Sequence, residues 1–83
     1  MERPIRIYVK KLGKEKAAGL AYHEERKIYL DARLKGFELL DTVIHEIIHV
    51  QQKDLSEESV SEYATEIADI LWNFGYRWTD QHR

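Results

Sequence analysis

The stretch from Phe37 to Gln51 constrains the fold more than any other part of the chain. Phe37, Leu40, Val43, Ile44, Ile47 and Ile48 recur at spacings of three and four, and Gln51 continues the register. That period describes one apolar face of an α-helix, predicted from about Phe37 to Gln52. A helix with such a face must be buried against another layer. Yet the same turns carry His45, Glu46 and His49, and burying three polar side chains in so short a stretch is costly unless something satisfies them. The fold must therefore supply both an apolar surface for this helix and a partner for its polar residues.

The rest of the chain supplies the surface. Residues 4–9, "PIRIYV", alternate Ile5, Ile7 and Val9 with Arg6 and Tyr8, the period of a half-buried strand. "KKLGKEKAAG" is a solvated connection, and "LAYHEERKIYLD" reads as strands Leu20–Tyr22 and Lys27–Leu30 around a charged tip, a hairpin without the Asn-Gly signature of a tight turn. After "KDLSEE", either Ser56 or Asp54 can cap a second helix, with Leu55 stapled onto Val60. Val60, Tyr63, Ala64, Ile67, Ile70 and Leu71 form its apolar stripe from Glu57 to about Phe74, and Gly75 ends it. The expectation is an α+β domain spanning residues 1–83: a two- or three-stranded antiparallel or mixed sheet, an active-site helix and a second, glutamate-bearing helix.

Composition narrows the function. Eighty-three residues, 43% hydrophobic and 34% charged, make one domain with a modest core, and no cysteine is present to staple it. A bound metal or a partner would therefore help. A net charge of −2 gives no basic excess of the kind that marks a nucleic-acid or membrane binder. A DNA-binding pair of helices is disfavoured further, because Glu57, Glu58, Glu62, Glu66 and Asp69 on the second helix would repel phosphates. The longest apolar runs are a few residues, too short to cross a bilayer, and the N-terminus lacks the apolar core of a secretory signal, so a cytoplasmic location is the default expectation. A bare edge strand in so small a sheet leaves a monomer or a weak homo-oligomer open.

On the first long helix, His45 and His49 lie four residues apart and leave the same face about one turn from each other. Two imidazoles so placed can reach one ion, and zinc accepts that geometry without a d-electron preference. Glu46 is rotated about 100° from His45 by helix geometry, so its carboxylate can hold a water rather than bind the metal. The pattern is HExxH, here H-E-I-I-H, whose chemistry is a metal-lowered water pKa with a glutamate general base. An isolated histidine on an apolar face is most often a satisfied core residue, but a metal would compensate all three polar groups at once.

With these residues the sequence resembles the zincin metallopeptidases, more narrowly the small gluzincin-like ones: minigluzincins and compact ImmA/IrrE-like or SprT-like phage and bacterial proteins. The resemblance runs from about Lys27 to Leu71 and rests on "KIYLD", "TVIHEIIHV" and "LSEESVSEYATEIADIL", a strand, an active-site helix and a glutamate-bearing helix in the family's order. It implies a zinc-dependent peptidase acting on peptide or protein substrates, with His45 and His49 as ligands, Glu46 as general base and acid, and a downstream glutamate as third ligand. The family context favours Glu58, because Val60 and Tyr63 then fall at the apolar and aromatic positions. The helical wheel pulls toward Glu57, about 60° from the centre of the Val60, Ala64 and Ile67 stripe where Glu58 lies about 160° away; Glu62 and Glu66 are further alternatives. Eight residues separate His49 from Glu58, shorter than in large gluzincins, which calls for a tight turn and leaves no room for a separate C-terminal subdomain.

Lesser candidates complete the list. Tyr63, Tyr76, Arg77 and His82 are available to stabilise an oxyanion, though Tyr63 at helical spacing reads as packing. Asp41 or Glu62 can accept the second ring N–H of a zinc-bound histidine. Trp72, Phe74, Tyr76 and Trp78 read either as an aromatic grip for a partner or as a core closing over the sheet. "KIYLD" can pair along its edge with an extended peptide. The alternative to an enzyme is a weak or inactive zinc-binding interaction module, its zinc closed by a fourth ligand such as His82 or His23, or self-inhibited by the tail "TDQHR".

Overall fold

The computed structural model describes residues 3–13 and 18–79. Five elements follow in order: β1 (Arg6–Lys10), β2 (Gly19–Tyr22), β3 (Lys27–Asp31), α1 (Gly36–Gln51) and α2 (Glu57–Phe74). The architecture is α+β, as expected. The sheet is mixed, with order β1-β3-β2: β1 runs parallel to β3, and β2 pairs with β3 antiparallel through a hairpin. In place of Asn-Gly, the hairpin tip turns through Arg26 at φ 51°, whose N–H donates to the His23 carbonyl.

Alternation along β3 organises the core. Ile28 and Leu30 point to one face and are buried with Val50 of α1, and Ala21, Leu39, Val43 and Ile47 pack around them. Helix α1 lies across β2 and β3, and α2 packs on α1. Because α1 has the sheet on one side and α2 on another, its apolar positions are half-buried around most of its circumference rather than along one stripe. Helix α2 meets α1 through Val60, Ala64 and Ala68, which are fully buried; such small side chains let the two helices approach closely.

Several sequence expectations are corrected. Ile7 and Val9 stand opposite Ile28 and Leu30 in the parallel register and so share their face, yet both are exposed because α1 does not extend over β1. "KIYLD" is the central strand, with β1 and β2 occupying its two edges, so it has no edge to offer a peptide. Tyr63, Ile67 and Ile70 are exposed rather than packed, and Phe74, Tyr76 and Trp78 are exposed rather than folded over the sheet. Trp72 of that group lies edge-on to Phe37 and under the Arg77 guanidinium, and Phe74 and Tyr76 lie ring to ring. No helix among the described residues is long and apolar enough to cross a membrane.

Candidate metal centre

The site is assembled by the short link between the two helices. Helix α1 is capped by Gln52, whose N–H donates to the Ile48 carbonyl, and the chain reverses within the next few residues. Ser56 then caps α2 by accepting the Ser59 N–H at 3.1 Å. This settles the capping role that Asp54 also could have filled. It also fixes the first turn of α2 beside the last turns of α1, where Glu57 and His49 meet.

His45 Nε2 lies 2.9 Å from Glu57 Oε2, and His49 Nε2 lies 2.8 Å from Glu57 Oε1. One carboxylate thus faces both imidazoles, whose ring centroids are 4.8 Å apart. The ligand atoms of His45, His49 and Glu57 all fall within 4.8 Å of one another, a grouping that could hold a metal ion. Two imidazole nitrogens and a carboxylate oxygen are a donor set that zinc accepts, and the remaining coordination position is the one a catalytic site keeps open. The third member is Glu57, not Glu58. Glu58 is exposed and lines a shallow surface of α2 with Ser61, Glu62 and Thr65. The reason is helical phase, since one residue turns the side chain by about 100° and carries it off the α1-facing side.

Glu46 is buried where its neighbours along α1 are only partly so. Its carboxyl is pushed above the usual carboxylate range, chiefly by burial, against the opposing pull of His45 and His49. The burial comes from β2: a Cβ built on Gly19 would fall 2.8 Å from Glu46 Cγ and 3.0 Å from Oε2. Glycine at position 19 is what lets the strand lie flat against this side chain, and sequence reading did not single it out.

Among the described residues the same strand has no partner on its outer edge. The Asp31 N–H donates to the Ala18 carbonyl at 2.9 Å, so residues 18 and 31 form a hydrogen-bonded pair in the register that sets Gly19 against Leu30. Alternation in an antiparallel ladder then turns the N–H and C=O of Gly19 and Ala21 away from β3, toward the open edge.

Other candidates fall elsewhere. His23 is not part of the ligand grouping; its Nδ1 contacts the Val50 carbonyl and ties the hairpin tip to the end of α1. Asp41 accepts from the Thr65 hydroxyl at 3.2 Å rather than from His45. Tyr63, Tyr76 and Arg77 are exposed, and Arg77 donates to the Trp72 and Tyr76 carbonyls. His82 and residues 80–83 of the tail lie outside the described residues. Comparison with protein-family models, with curated proteins and with solved structures returns no match for this chain.

Proposed function

We propose that this protein is a minimal zinc metallopeptidase, with His45, His49 and Glu57 holding the ion and Glu46 serving as general base. The observation that carries the reading is the convergence of three ligand atoms from two helices next to a buried carboxylate that belongs to the same HEIIH turn. When bound, zinc supplies a Lewis acid that polarises a peptide carbonyl and lowers the pKa of water. The chain's own groups do the rest. Glu46, held out of bulk solvent against Gly19, takes the proton from the attacking water at its carboxylate and returns it to the departing amine nitrogen. The open edge of β2 can hold an extended peptide through the backbone groups of Gly19 and Ala21, the role the sequence had given to "KIYLD".

The test is elemental analysis of untagged protein followed by cleavage of a peptide mixture. We expect one zinc per chain, lost in His45→Ala, and cleavage that falls by about 10²–10⁴-fold in Glu46→Gln while zinc is retained. Cleavage that survives Glu46→Gln would overturn the assignment. A second reading, a zinc-bearing interaction module, draws on the exposed row of Tyr63, Ile67, Ile70 and Phe74 along α2. A zinc-loaded protein that cleaves nothing would favour it.

A further inference from the structure

We infer that Asp41 makes this site select a cationic side chain, so that the preferred substrates carry lysine or arginine next to the bond that is cut. The inference rests on the peptidase reading and names its substrate class.

A cavity of about 230 Å³ opens beside the metal centre, lined by Ala18, Gly19, Asp41, Thr42, His45 and Glu46. It shares His45 and Glu46 with the centre, so a residue flanking a bond held there would place its side chain in this space. The walls contributed by Ala18, Gly19 and Thr42 are small, which leaves depth for a long side chain and little apolar surface to favour a branched one. The chemistry is set by Asp41.

The Asp41 carboxylate accepts from the Thr65 hydroxyl at 3.2 and 3.4 Å, a neutral donor. None of the ion pairs among the described residues includes it; those pairs join Arg33 to Asp31 and the two histidines to Glu57. Among the described residues its charge therefore has no ion-pair partner. Beyond Thr65 the surface stays negative, since Glu58, Glu62, Glu66 and Asp69 line the adjoining shallow surface of α2.

The whole chain is polarised in the same sense. Ten of its thirteen Lys and Arg residues precede Gly36, and ten of its fifteen acidic residues follow it. A net charge of −2 hides an acidic helical half that carries the site. A lysine or arginine entering the cavity would meet a half-buried carboxylate in a favourable field, whereas a neutral residue would desolvate that carboxylate with nothing in return.

The experiment uses zinc-loaded protein and two short labelled peptides that differ only in carrying lysine or norleucine at one position. We expect kcat/KM to favour the lysine peptide by about tenfold or more, with Lys and Arg enriched beside cleaved bonds in a peptide mixture. In Asp41→Asn, which keeps an acceptor for Thr65, the ratio should collapse toward one while zinc stoichiometry stays at one per chain. A ratio near one in the wild type, or one that Asp41→Asn leaves unchanged, overturns the inference. If neither peptide is cut, the peptidase reading fails separately, and fluorescence anisotropy of the same peptides on zinc-loaded protein decides this one. Tighter binding of the lysine peptide, lost in Asp41→Asn, supports it; equal affinity or no binding overturns it.

Discussion

At the residue scale, the site depends as much on a missing side chain as on those present. Gly19 is not required for its backbone angles, because the glycines at positive φ are Gly13, Gly36 and Gly75; it is required because any Cβ would collide with Glu46. Gly19→Ala should therefore keep one zinc per chain but lower cleavage by about 10²-fold, the cost of moving a reacting group by roughly an ångström. It should also cost about 1–3 kcal/mol in thermal melts as an overpacked contact, and that cost should vanish in a Glu46→Ala background. An equal cost in both backgrounds would place the clash elsewhere. Sequence alone singled out Glu46, because the HEIIH pattern lies within five residues, whereas Gly19 stands out only through its contact with a side chain of another element. Asp31 shows the same limit. At the end of β3 it receives the Arg33 guanidinium at 2.9 and 2.7 Å and the Arg33 N–H at 2.9 Å, and these bonds hold its carboxyl well below the usual carboxylate range. A depressed carboxyl pKa stabilises the fold above the unfolded-state value and loses that contribution as pH falls through the folded one. Asp31→Asn should thus lower the melting temperature near neutral pH, and the gap to wild type should begin to narrow below about pH 4 and close only as pH falls through the lowered folded-state value.

At the element scale, periodicity located both helices to within a residue and recognised their ends, Ser56 accepting at the start of α2 and Gly75 at φ 113° closing it. It could not say which apolar stripe would be covered. Helix α2 carries two neighbouring rows: Val60, Ala64 and Ala68 are buried against α1, while Tyr63, Ile67, Ile70 and Phe74 recur at spacings of four, three and four and remain exposed. Small residues won the interface because they allow closer approach, and a hydrophobicity pattern weighs large side chains more heavily. The third ligand was ambiguous for a related reason. Family context put it at Glu58 and helical phase at Glu57; the packing of α2 on α1 brings Glu57, and not Glu58, up to the two histidines. The consequence is a sharp pairwise contrast. Glu57→Gln should weaken zinc affinity by about 10²-fold or more, as loss of a ligand exceeds the 10–100-fold typical of a supporting group, and Glu58→Gln should leave it within a few-fold of wild type. Competition against a chelating dye measures both, and the reverse order would mean that α2 turns when metal binds.

At the scale of the whole molecule, the question is how so small a core holds two helices and a sheet together. Its largest fully buried side chains are Ile28, Val50 and Val60, drawn from β3, α1 and α2 in turn. Between α1 and α2 the apolar contact is made by small residues, and each adds little buried area. The carboxylate of Glu57 against His45 and His49 spans the same interface near the turn, so an ion held there would fasten α2 to α1 where apolar burial is thin. Binding to the folded but not the unfolded chain adds stability by mass action, about 2.7 kcal/mol when free zinc is 100 times its dissociation constant. For a domain of this size each kcal/mol moves the melting temperature by roughly 4–8 °C. Dialysis against a chelator should therefore lower the melting temperature by about 10–20 °C, zinc should restore it, and His45→Ala should melt near the metal-free wild type with or without zinc. If zinc binds yet the melt does not move, the unfolded HEIIH segment must bind it as well as the folded site does. The helix interface would then owe its stability to packing alone.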